Sequence, residues 1–149
     1  MPTDDLTIAR LGPGDTERAR RCCAPFWDMG SAATNLTGFL ADPHCVLLAA
    51  EVDGEPVGQV VGHVLRRWDP RPPMLLLYSI DVIAGRRRRG IARALVTEFL
   101  RIGRGLGCGS AFLVTNESNA PAVRLYEACG GTRPHPDDVL FVWEDGPPP

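Results

Sequence analysis

A chain of 149 residues, 44% hydrophobic and 23% charged, is one domain's worth of an ordinary folded protein and gives no ground for general disorder. Its formal charge of -2 hides a concentration: Arg86 to Arg89 are consecutive, so the rest of the chain sums to -6, which argues against the broad basic face of a general nucleic-acid binder. All 16 basic residues are arginine, which excludes a lysine nucleophile, a lysine Schiff base and the lysine of a nucleotide P-loop; Gly85 and Gly90 have P-loop spacing, but Ile91 stands where that lysine would.

The five cysteines, at 22, 23, 45, 108 and 129, form no C-x-x-C pair, and an odd number suits free, mostly buried thiols in a reducing compartment. Met1 to Asp5 is polar and acidic, unlike a signal peptide, and no apolar run approaches the length of a membrane span, so no membrane association and a cytoplasmic location are expected. Neither an internal repeat nor a second domain is visible; residues 1–149 read as one domain with flexible tails at 1–5 and 146–149.

Leu6 to Leu11 reads as a first strand. Asp15 can cap a helix running through Arg18 to Cys23, limited by Pro25. Phe26 to Asp42 is weakly patterned, with a short helix around Leu36 to Leu40, and its loops either line a pocket or merely connect. Cys45 to Val52, the turn Asp53-Gly54, and Val57 to Leu65 form a hairpin. Three prolines make Arg66 to Pro73 a loop before a strand at Met74 to Val82. A helix follows from Ile91 to about Arg104, stopped by glycines, then a strand at Ala111 to Thr115. Asn119 caps a helix whose Ala122, Leu125, Tyr126 and Cys129 fall at i, i+3, i+4 and i+7, ended by Gly130. Thr132 to Arg133 and Val139 to Trp143 read as closing strands.

The informative stretch is Leu75 to Leu95: a buried strand, a basic glycine loop and a helix start. Free N–H groups at a helix start carry about half a positive charge, and a glycine there lets an anion approach without meeting a Cβ, so a phosphate-bearing ligand is expected. Tyr126 lies on the buried face of its helix, where its hydroxyl either satisfies a core hydrogen bond or points into a site. His44, His63 and His135 share no ligand spacing, so no metal is assigned.

Arg87-Arg88-Arg89-Gly90-Ile91-Ala92 fits the Q/R-x-x-G-x-G/A signature, and Asn119, Ala122 and Tyr126 fit N-x-x-A-x-x-x-Y. With these two motifs in matching strand and helix order, the chain resembles the GNAT superfamily of N-acetyltransferases from its first strand to Trp143, and within it the aminoglycoside 3-N-acetyltransferases. That resemblance implies an α/β (α+β) fold with a mixed, mostly antiparallel sheet of six to seven strands, split by a bulge near Ile80 to Val82 and flanked by about four helices. It implies acetyl-CoA as co-substrate, its pantetheine arm paired with the backbone at Ile80 and Val82 and its pyrophosphate on Arg88 to Ala92, with Arg87, Arg88 and Arg89 supplying charge and Asn119 contributing. Tyr126 would protonate the departing thiolate, being itself protonated at neutral pH with an unperturbed pKa of about 10, and the Val82 N–H would polarise the carbonyl.

The aminoglycoside enzymes usually carry an aspartate at the position of Ser79, and serine cannot accept a proton at neutral pH. Asp81, two residues on and on the same face, is the candidate base, directly or through water; its other reading is a carboxylate held by backbone or arginine partners. Asp28, Glu117, Asp137 and Asp138 could give a cleft mouth that attracts a polycation, or could simply be solvated. The expected reaction is transfer of an acetyl group to the 3-amino group of an aminoglycoside, a resistance-type activity, by direct attack in a ternary complex. The competing expectations are acetylation of a protein N-terminus, a lysine or a small metabolite amine, and a module that senses acyl-CoA without turnover. Homodimers are common among such proteins, so a second copy is a further expected partner.

Overall fold

The computed structural model describes residues 5–29, 33–144 and 146. Apart from Asp5 and Gly146, the expected tails lie outside the described residues. In chain order the elements are β1 (Leu6–Leu11), α1 (Thr16–Cys23), α2 (Ala33–Ala41), β2 (Cys45–Val52), β3 (Glu55–Leu65), β4 (Met74–Val82), a single 3-10 turn (Ala84–Arg86), α3 (Ile91–Gly105), β5 (Ser110–Phe112) and α4 (Ala120–Ala128). One sheet has the strand order β1-β2-β3-β4-β5; its pairs are antiparallel except β4 with β5, which are parallel and joined through α3.

The hairpin forms where the sequence places it because Asp53 (φ 51°) and Gly54 (φ 81°) both take the left-handed conformation that a tight two-residue turn demands. Asp15 behaves differently from expectation. Its carboxylate accepts the Gly12 N–H at 2.8 Å, closing the preceding turn, and makes no side-chain cap on α1. In α3 the buried stripe Ile91, Leu95, Val96, Phe99 and Gly103 has helical spacing and lies on the sheet. Gly62 of β3 is required at that contact, since a Cβ there would run into the Phe99 ring.

Two cores result, one on each face of the sheet. Val46, Leu48, Val60, Leu75, Leu95 and Phe99 fill the space under α3, with Leu125 and Tyr126 of α4 packed against them. Leu11, Ala19, Cys22, Leu36, Leu40 and Leu47 fill the space under α1 and α2. The strands β2 and β3 are therefore covered on both sides, and β2 is almost wholly apolar.

The bulge is in β4, but earlier than expected. Val61 pairs with Ser79 and Gly62 with Leu77, so Tyr78 is the extra residue. Its effect is to exchange faces. Leu75 and Leu77 point into the α3 core; without a bulge Ser79 and Asp81 would follow them, by the period of two. Instead Ile80 and Val82 pack against that core, and Asp81 lies opposite Gln59 on the α1 side.

The sheet has five strands among the described residues, not six to seven. Thr132 to Arg133 and Val139 to Trp143 carry strand-type side chains but pair with nothing described, and a strand needs a ladder partner as well as propensity. Val139, Leu140, Phe141, Val142 and Trp143 are each 63% to 74% exposed. The strand expected at Ala111 to Thr115 is shortened to Ser110–Phe112, because β5 keeps company with β4 only from Met74 to Leu76 before the two part.

Candidate functional site

The parting of β4 and β5 creates the site. From Leu77 to Val82, β4 has β3 on one side and, among the described residues, no strand on the other. The Ile83 N–H donates to Val57 O at 2.9 Å, so by alternation the N–H and C=O groups of Ser79 and Asp81 turn to β3 while those of Ile80 and Val82 turn to the gap. The Val82 carbonyl is met there by the Arg87 guanidinium, Nε donating at 3.4 Å.

Beyond Val82 the chain turns sharply. The Arg86 N–H donates to Ile83 O, Arg87 is extended, Arg88 takes a left-handed conformation (φ 63°), and Gly90 takes another (φ 79°) as it opens α3. A non-glycine residue in that conformation costs on the order of 1 kcal/mol or more, held here by the surrounding turn. The first rung of the α3 ladder is the Ala94 N–H to Gly90 O, so the amides of Ile91, Ala92 and Arg93 precede any intrahelical acceptor. A Cβ built on Gly90 would meet no atom within 4 Å, so this approach is open. The run from Arg86 to Arg89 thus brings both amides and guanidinium groups to the end of the gap, a setting for a polyanion.

Asp81 of β4 and Tyr126 of α4 come near enough for the charge of one to act on the other. The Asp81 carboxylate accepts Gln59 Nε2 at 2.9 Å. Burial first, then the charges of Asp81 and Cys129, raise the Tyr126 hydroxyl above its ordinary value of 10.0. On the other side Cys23 of α1 is pushed up to about 11 by burial and then by the same Asp81 charge. One carboxylate therefore acts on groups from α1 and α4, while Ser79 precedes it on the same face of β4.

The remaining sequence-derived candidates separate. The Asn119 side chain accepts the Ala122 N–H at 3.3 Å, so it serves as the α4 cap. Glu117 pairs with Arg133 at 3.2 Å, both largely exposed, and Asp28, Asp137 and Asp138 are exposed without forming an acidic cluster with it. Gln59 and Cys23 were not singled out in the sequence. A lone glutamine within the apolar run Val57 to Val64 is the signal that could have found the first. No group of three or more potential metal ligands occurs among the described residues, and no helix there is long and apolar enough to cross a membrane.

The model of the acetyltransferase (GNAT) family matches residues 15–131, which carry both the loop before α3 and Tyr126. The chain belongs to that family. No curated protein sequence matches it. Among solved structures, this GNAT chain is similar to the aminoglycoside acetyltransferase meta-AAC0020 from an uncultured soil metagenomic sample in complex with sisomicin, with a TM-score of 0.80 and 20% identity over 93% of this chain and 95% of that one. It is similar to aminoglycoside N-acetyltransferase AAC(6')-Iy in complex with CoA, with a TM-score of 0.79 and 20% identity over 97% and 98%. The soil-metagenomic aminoglycoside acetyltransferase HMB0005 is 25% identical, with a TM-score of 0.75 over 93% and 96%. The first two likenesses show that the GNAT fold extends through nearly the whole chain; the five strands and four helices among the described residues are this member's version of it.

Proposed function

We propose that this GNAT protein transfers the acetyl group of acetyl-CoA to the 3-amino group of an aminoglycoside by direct attack in a ternary complex. The observation that carries the reading is the gap at the C-terminal half of β4, with the amides and arginines before α3 at one end and Asp81 and Tyr126 along it. The neighbours that bind CoA and sisomicin support it by analogy.

Each residue then has a task. Amides from Arg88 to Ala92 receive the pyrophosphate, and Arg87, Arg88 and Arg89 add charge-assisted bonds. Ile80 and Val82 offer backbone groups to the pantetheine arm as a neighbouring strand would, which requires Arg87 to leave the Val82 carbonyl. Acetyl-CoA supplies an activated thioester. The Val82 N–H polarises its carbonyl, Asp81 takes the proton from the attacking ammonium directly or through water, and Tyr126 protonates the departing thiolate. Ser79 lines the wall on the Asp81 side. Asn119 holds the start of α4, and through it Tyr126, with its side-chain oxygen, and contributes to the coenzyme site from there. Asp28, Glu117, Asp137 and Asp138 attract the polycationic acceptor at long range.

A panel of acceptors assayed by thiol release tests the reading. Turnover of aminoglycosides with a free 3-amino group, and loss of turnover when that amine alone is blocked, is the expected result. Turnover of a peptide or a small metabolite amine with none of any aminoglycoside would overturn the acceptor. Acetyl-CoA binding with no acceptor consumed would favour a sensing module, the reading to which Ser79 lends itself.

A second copy of the chain is the further partner in this reading. Each chain carries both a five-residue apolar run, Val139 to Trp143, and the unpaired outer edge of β5, so an exchange between two copies is self-complementary.

A further inference from the structure

Gln59 is fully buried, yet it is the one glutamine of the chain and stands in the middle of β3. Each end of its amide has a partner. The Cys23 thiol of α1 donates to Oε1 at 3.1 Å, and Nε2 donates to Asp81 Oδ2 at 2.9 Å. The neighbouring thiol, Cys22, donates to the Gly58 carbonyl at 3.1 Å, so α1 is pinned to β3 at two successive residues. Gln59 and Asp81 are also direct cross-strand partners, with no register freedom between them.

Chemistry fixes which way round the amide lies. A protonated thiol donates in preference to accepting, and a carboxylate offers acceptors alone, so the end of Gln59 facing Cys23 is the carbonyl. The NH₂ end is then turned to Asp81, where only an acceptor belongs. Reversing the amide would set its oxygen against a carboxylate and leave the thiol without an acceptor. The face exchange at Tyr78 places Asp81 within reach of this clamp, while Tyr126 of α4 feels the same carboxylate from the other side.

We propose that Cys23 and Gln59 form a positioning relay that holds one oxygen of Asp81 and leaves the other directed to the acceptor amine. Gln59 is a positioning residue here, not a catalytic one, and the assignment rests on Asp81 being the base in the reaction proposed above. Removing the clamp lets the carboxylate rotate about its side-chain bonds. A misplacement of about 1 Å can cost on the order of 100-fold in rate without altering affinity for the other substrate.

The single glutamine makes the clamp directly observable. In protein labelled with ¹⁵N only at the glutamine side-chain amide, one NH₂ pair is expected, slow to exchange with solvent. Asp81→Ala and Cys23→Ala should each shift it and speed its exchange, and Cys23→Ser, which keeps a donor, should restore it. An NH₂ pair unmoved by Asp81→Ala overturns the relay, whatever the enzyme acts on. With sisomicin and acetyl-CoA, Gln59→Leu should lower kcat about 100-fold with the KM for acetyl-CoA unchanged, and should add no further loss to Asp81→Ala. Equal losses in both backgrounds, or an unchanged kcat, overturn the positioning role. Unchanged kcat in Asp81→Ala itself overturns Asp81 as the base, and the amide signal then decides the clamp alone.

Discussion

Tyr126 holds its proton because its hydroxyl is withdrawn from water and stands near the negative charge of Asp81, and a phenol so held is a donor across the neutral range. Tyr126→Phe is expected to lower kcat by about 10²-fold or more while acetyl-CoA binding, measured by calorimetry, stays at the parent value. With the hydroxyl raised above its ordinary value, loss of its donor function should appear as an alkaline limb of kcat displaced upward from that of a free phenol. The buried thiols give a second pH effect, on stability. Cys22 is pushed up to about 12 by burial first and then by the charges of Cys23 and Glu51, and Cys23 to about 11, against an ordinary 9.0. Above pH 9 the unfolded chain sheds these protons and the folded one keeps them. Their contribution is therefore complete below pH 9 and drains away as pH rises through 11 to 12. Melting temperature should fall over that window, and less steeply in Cys22→Ala. The buried face of α4 that carries Tyr126 was legible from the helix period, whereas the period of two placed Asp81 only relative to Ser79, and the bulge at Tyr78 decided which side of the sheet both face. The Gln59 clamp was not legible, since it depends on which helix covers which side of the sheet.

At the level of elements, the start of α3 and the middle of β4 define the site, and the sequence announced them unequally. The loop from Gly85 to Gly90 could be read as an anion setting because arginines and glycines between a strand and a helix have few other arrangements. Gly90 is left-handed, so Gly90→Ala should cost about 1 kcal/mol in denaturant unfolding and, on the proposed placement of the pyrophosphate, weaken CoA binding in calorimetry, since the backbone of that turn must distort. Unchanged affinity would mean that the phosphates do not rest on this turn. The hairpin at Asp53-Gly54 was legible for a local reason, the positive φ its two residues accept. By contrast, the length of β5 depends on where β4 diverges from it. No local pattern in Ala111 to Thr115 encodes that divergence.

For the molecule as a whole, the exposed run Val139 to Trp143 is its least protein-like surface, and five apolar side chains in a row are unlike the scattered exposure normal to a monomer. Leu140→Asp is expected to shift sedimentation equilibrium towards the monomer with an unchanged circular dichroism spectrum. An unaltered distribution would count against exchange through this run. The mixed sheet flanked by helices was expected from the resemblance carried by the loop before α3 and the Asn119 to Tyr126 motif, and the chain bears it out with five strands among the described residues. The destination of the closing segment was not legible, for its composition suits a strand and nothing in it names the neighbour. Tyr78 is the one residue the ladder can spare: with it removed, Leu77, Ser79, Ile80, Asp81 and Val82 would still face Gly62, Val61, Val60, Gln59 and Gly58, which keeps Ile80 and Val82 on the α3 side and Asp81 on the other. Deletion of Tyr78 should therefore leave the faces of β4, and with them the circular dichroism spectrum, unchanged. What holds Asp81 to its side of the sheet is its pairing with Gln59, and the bulge lets one added residue be carried without disturbing that pair.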